Sequence, residues 1–95
     1  MLFVEVSERD SEDEPTRFDC GPSDLTLADW IVDALRQSLH GGVEVHHPQR
    51  INGEGKSCDY AVIVRCRPGS LDNIRMVVGG LIASWRRRGK IPSGT

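Results

Sequence analysis

No apolar run in this chain approaches the roughly 20 residues that a membrane-spanning helix needs. Cysteine is scarce: Cys20, Cys58 and Cys66 form neither a Cys-x-x-Cys pair nor an even set. That argues against a disulfide scaffold and against a zinc ribbon, which uses paired ligands. Lysine is rarer still, at two residues (Lys56 and Lys90) beside ten arginines. Aromatic residues make up 5% of the chain, too few to interleave with the basic residues as a single-strand stacking platform requires. The apolar start, Met1 to Val4, turns acidic at once and lacks the shape of a secretory signal, so a reducing cytoplasm is the simplest expectation.

What remains is the composition of an ordinary small domain. At 95 residues, with 38% hydrophobic and 27% charged side chains, the chain is too short for a multi-domain machine and too apolar for pervasive disorder. The formal charge of −2 exerts no global pull toward nucleic acid or anionic lipid. Its distribution is uneven, however. Residues 1–24 carry eight acids against two bases, and residues 65–90 carry seven bases against Asp72. The chain is a charge dipole along its sequence.

Alternation in Leu2-Phe3-Val4-Glu5-Val6 predicts a strand with Leu2, Val4 and Val6 on one face. Residues 7–24 hold nine charges, two prolines and only Phe18 and Cys20 as apolar side chains, and they read as a mobile acidic loop. Leu27, Ile31, Ala34, Leu35 and Leu39 recur at helical spacing and predict a helix over 26–40, with Thr26 as its cap and Leu25 stapled onto Trp30. Gly41-Gly42 supplies its stop. Val43-Glu44-Val45-His46 predicts a second strand, residues 46–59 a polar loop, and the β-branched run 60–67 a third strand. Ser70 is the expected cap of a second helix along Leu71, Ile74, Val78, Leu81, Ile82 and Trp85, closed by Gly89. The expected fold is α+β. It is a two-layer α/β sandwich of order β-α-β-β-α, with two helices on one face of a three-stranded sheet. One domain over 1–91 and a disordered tail at 92–95 complete the reading.

Most motifs with chemical promise fail on context. Gly53-Glu54-Gly55-Lys56-Ser57 ends like a phosphate loop, but Arg50 stands where the first glycine belongs, and a strand follows instead of a helix. His46 and His47, adjacent on a strand, point to opposite faces and cannot both ligate one metal without a bend. Asp29 and Asp33 lie one helical turn apart, on what reads as a solvated face. No serine sits in a nucleophile elbow, and no spacing brings a cysteine to a histidine. No cofactor is expected, and enzymatic chemistry is unsupported.

Two surfaces carry functional expectations. The outward strand positions Phe3, Ala61 and Ile63, with Arg65 and Arg67 beside them, form a docking patch if the second sheet face is bare. Phe3, Ile63, Arg65 and Arg67 are thus the expected partner-binding residues of a non-enzymatic protein-interaction module: an adaptor, inhibitor or regulatory subunit. The alternative is nucleic-acid binding through Arg86, Arg87, Arg88 and Lys90, joined by Arg65 and Arg67. The two polar loops leave about 63 residues to build a core, a size at which a single core is marginal, so a homo-oligomer is expected.

Overall fold

The computed structural model describes residues 1–52 and 58–91. In chain order these form β1 (Leu2–Glu8), β2 (Thr16–Asp19), α1 (Leu25–Ser38), β3 (Glu44–Val45), β4 (Gln49–Asn52), β5 (Asp59–Cys66) and α2 (Leu71–Arg87). The Gly53–Ser57 loop and the tail at 92–95, both singled out by sequence, lie outside the described residues.

The sheet has five strands, where the sequence pattern predicts three. Its order is β2-β1-β5-β3, and β4 also pairs with β5. β1 and β5 run parallel, from Leu2 beside Tyr60 to Glu8 beside Cys66, and every other pairing is antiparallel. Both extra strands come from segments whose polar composition reads as loop. β2 fits because its four residues alternate: Thr16 and Phe18 are partly buried, while Arg17 and Asp19 are exposed. Half-apolar alternation suffices for an edge strand that is covered on one face only. β3 and β4 lie end to end along β5, with Pro48 in the break between them. The His46 amide still donates to Ile63 O within that break, at 2.9 Å.

The core lies between one sheet face and both helices. Leu2, Val4, Val6, Val62, Val64 and Cys66 meet Ile31, Val32 and Leu35 of α1 and Ile74, Val78 and Ile82 of α2 in one cluster. Two-layer packing with both helices on one face is therefore present. Trp30 and Trp85 join the helices edge to face, with ring centroids 5.2 Å apart. Ile91, only 1% exposed, anchors the chain beyond α2 in the same core, a role its distance from the helical stripe concealed.

Local capping differs from the sequence expectation. Asp24, not Thr26, caps α1: its carboxylate accepts from the Thr26 and Leu27 amides at 2.9 and 3.2 Å. An ionised acceptor satisfies orphan amides at the positive helix end better than a hydroxyl does. Leu25 is consequently 52% exposed, not stapled. Ser70 occupies the N-cap of α2 but makes no side-chain cap bond.

The paired glycines inside α2 have unequal reasons to be there. A Cβ on Gly79 would meet the Phe18 ring of β2 at 3.3 Å, whereas one on Gly80 would meet nothing within 4 Å. Gly79→Ala and Gly80→Ala both relieve a helix-propensity cost of about 1 kcal/mol. Gly80→Ala is expected to raise stability by about that amount. Gly79→Ala should gain clearly less, because Phe18 must give way. Urea titration of the two variants checks the difference.

Candidate functional site

Among the described residues, helices cover only one face of the sheet, so the chemistry of the other face follows from strand register. One row across it runs Arg17, Glu5, Ile63, and a second runs Asp19, Phe3, Ala61, Gln49. Glu5 is only 7% exposed. A carboxylate buried to that extent needs a charged partner. Arg17, directly opposite in β2, supplies it: Nε and Nη2 both donate to Glu5 Oε1, at 2.9 and 2.7 Å. The same guanidinium lies 5.0 Å from the centre of the Phe3 ring. One arginine thus neutralises Glu5 and roofs Phe3.

That roof changes the expected patch. Phe3 and Ile63 are half-buried and Ala61 is fully buried, although all three lie on the helix-free face. The bare apolar surface anticipated there is instead a polar-rimmed depression. It encloses about 350 Å³ between Glu5, Glu8, Asp10, Asp13, Ile63 and Arg65. Its rim is the connection from β1 to β2, which turns through Asp10 at φ 62° and is braced by the Asp13 amide on Ser11 Oγ at 3.1 Å. The acids and prolines of this segment read as a loop; the antiparallel return of β2 along β1 folds them over the sheet.

The basic residues fall into two groups. Arg65 is exposed, with its Cα opposite that of Glu44. Arg67 lies against the glycine turn after α1, where a Cβ on Gly42 would come within 2.4 Å of Arg67 Nε. Arg9 Nη2 donates to Gly42 O at 3.3 Å, so Arg9 and Arg67 meet at that turn. Arg86, Arg87, Arg88 and Lys90 stand at the far end of α2, whose 17 residues span about 25 Å. Arg65 and Arg67 therefore do not join them in one patch. Arg86 is also engaged, donating from Nη2 to Asp19 O at 2.7 Å. Arg87, Arg88 and Lys90 remain exposed.

Other candidate chemistry stays dispersed. Asp29, Asp33 and His47 border a cavity of about 310 Å³. His46 Nε2 lies 3.7 Å from a Glu44 carboxylate oxygen. No group of three His, Cys, Asp or Glu side chains among the described residues is placed to hold a metal ion. No helix among those residues is long and apolar enough to cross a membrane. Cys20, Cys58 and Cys66 are all buried. Burial pushes the Cys20 thiol up to about 11, against a partial pull downward from Arg86. Burial also raises Cys66, with Glu8 adding to the effect, and its Sγ donates to Ser7 O at 3.5 Å. A raised thiol is the opposite of an activated nucleophile.

No family model, no curated protein and no solved structure matches the chain.

The Cys20 environment has a consequence for stability. The folded state keeps the proton up to about 11, while an unfolded thiol releases it near 9.0. The stabilisation is complete below the lower value and is lost as pH climbs through the higher one. Thermal unfolding followed between these limits should show a progressive fall in Tm. Cys20→Ala, though less stable at neutral pH, should show a shallower fall. A thiol reagent at pH 8 should label Cys20 and Cys66 only on addition of denaturant.

Proposed function

We propose that this chain is a non-enzymatic protein-interaction module that self-associates and takes a partner on the helix-free sheet face. The observation that supports this reading most directly is the depression over Glu5 and Ile63. An apolar side chain, a buried carboxylate neutralised on one side and a rim of further acids form its lining. Such a lining suits an extended protein segment with a lysine or arginine next to an aliphatic residue. The aliphatic side chain would rest on Ile63, and the cation would complete the acid rim. Four acids against Arg65 around the cavity would also speed encounter with a basic partner. The buried, raised thiols favour a binding role over thiol catalysis, and a reducing compartment such as the cytoplasm suits them.

Phe3, Ile63 and Arg65 are the sequence-expected residues that belong to this face, with Phe3 acting beneath Arg17 and not as a bare contact. Arg67, seated on Gly42, contributes to the adjoining turn. Nucleic-acid binding is the competing reading. Among the described residues it has only Arg87, Arg88 and Lys90 as exposed neighbouring cations at the end of α2. Few phosphate contacts imply a shallow salt dependence.

The experiment is selection from a peptide library on the purified chain. Peptides pairing Lys or Arg with an aliphatic residue should be enriched, and their affinity should fall as salt rises. Glu8→Lys with Asp13→Lys should weaken the selected peptides at least tenfold. Retained affinity in that variant, or no enrichment at all, defeats the proposal. Salt-sensitive binding to single-stranded or duplex nucleic acid, lost in Arg87→Glu with Arg88→Glu, would establish the competitor instead.

A further inference from the structure

We propose that the open edge of β2 is the self-association surface, pairing antiparallel with β2 of a second copy about a two-fold axis at Phe18. The reading deepens the interaction-module proposal by naming one partner and its surface, which is separate from the depression over Glu5.

Hydrogen-bond phase identifies what the edge offers. The Cys20 amide donates to Leu2 O at 2.8 Å, so Cys20, and Phe18 two residues before it, turn their backbone toward β1. Arg17 and Asp19 then turn theirs outward. The Arg86 contact to Asp19 O agrees, since that carbonyl faces away from β1. A carbonyl has a second lone pair, so this contact leaves one free for pairing. An edge of outward N–H and C=O groups is a template for another strand.

Side-chain order then selects the partner. Arg17 and Asp19 lie on the same face of β2, one on each side of Phe18. Antiparallel self-pairing centred on Phe18 sets Arg17 opposite Asp19 of the second copy, and Asp19 opposite its Arg17. Those two pairs fall at the hydrogen-bonded positions, where each residue exchanges both backbone bonds. Opposite charges directly across a strand pair stabilise it. A strand reading Arg-Phe-Asp is therefore complementary to itself, as an isologous two-fold interface requires.

The layer above the edge fits the same occupant. Phe18, Gly79, Ile82 and Ala83 line a groove of about 260 Å³ between β2 and α2, with Asp19 and Arg86 at its end. Met76 lies on the helix flank that Gly79 and Ala83 share, and at 78% it is the most exposed large apolar side chain among the described residues. Two copies related at Phe18 would bring these flanks together, with small residues permitting close approach. The opposite sheet edge is unsuited to the role: Pro48 interrupts it, and its pairing to β5 shifts register between Arg50 and Asn52.

The test is register-specific. Sedimentation from micromolar to millimolar concentration should show reversible dimers of the unaltered chain. Asp19→Lys places cation against cation, and Arg17→Asp places acid against acid, so each alone should raise Kd at least tenfold. Mixing the two variants restores both opposite-charge pairs and should restore dimers. Arg17→Asp also removes the partner of Glu5, so amide exchange on the unaltered chain supplies an independent readout. Exchange at Arg17 and Asp19 should slow as concentration rises, while Phe18 should not respond. A strict monomer, a dimer indifferent to Asp19→Lys, or a concentration effect absent from these two amides overturns the inference. Protection appearing only with a foreign protein also overturns it, because the edge would then serve a different occupant. Asp19 does not line the depression over Glu5, so peptide binding by Asp19→Lys shows whether the two proposals stand or fall separately.

Discussion

The parallel pairing of β1 with β5 is the constraint on which the rest of this fold depends. Seven residues of β1 find partners along β5, and both strands are shielded on the helix side by the same core. β5 also carries both antiparallel neighbours of the far edge, and β1 carries β2. Remove the central pair and neither edge has a surface on which to form. The backbone groups that β1 and β5 turn toward each other are buried and satisfied by this pairing, which makes it obligatory as well as favourable.

The same arrangement governs how charge is handled. The sequence dipole, acidic early and basic late, does not become two facing charged plates. It resolves into local settlements that use backbone as often as side chains. Arg17 neutralises Glu5 across a strand pair, Arg9 caps a turn carbonyl at Gly42, and Arg86 ties α2 to the end of β2. Among the described residues, exposed charge remains at the acid rim of the depression, at Asp29 and Asp33 on α1 and at the cations closing α2. The proposed interaction surface draws on the charge left over once folding has taken its share.

Much of the fold is legible in the chain because its strongest signals are periodic. The helical stripes of α1 and α2 and the β-branched run of β5 predict their elements within a few residues. The inward positions of β1 and β5 follow from alternation. The short edge strands escaped, since Thr16–Asp19 and Gln49–Asn52 are mostly polar and become strands only because a completed neighbour offers hydrogen bonds. Tertiary context supplies that information, and propensity does not contain it. The candidate surface was half legible for a related reason. Alternation puts Phe3 and Ile63 on the outer face, but only the cross-strand placement of Arg17 reveals that Phe3 is roofed. Ile91 was missed because a single apolar residue after a glycine has no periodicity to report it.

One consequence of the strand order concerns synthesis. β1 and β2 form a hairpin early in the chain, but the neighbour that completes their sheet begins at Asp59, about 40 residues later. At ribosomal rates of roughly 5–20 residues per second, β1 waits on the order of seconds for β5. Throughout that interval Leu2, Val4, Val6 and Phe18 lack both β5 and α2, and α1 is the one core helix already made. The acids clustered between the two strands give that unfinished hairpin a like charge, and like charge opposes strand pairing between neighbouring copies.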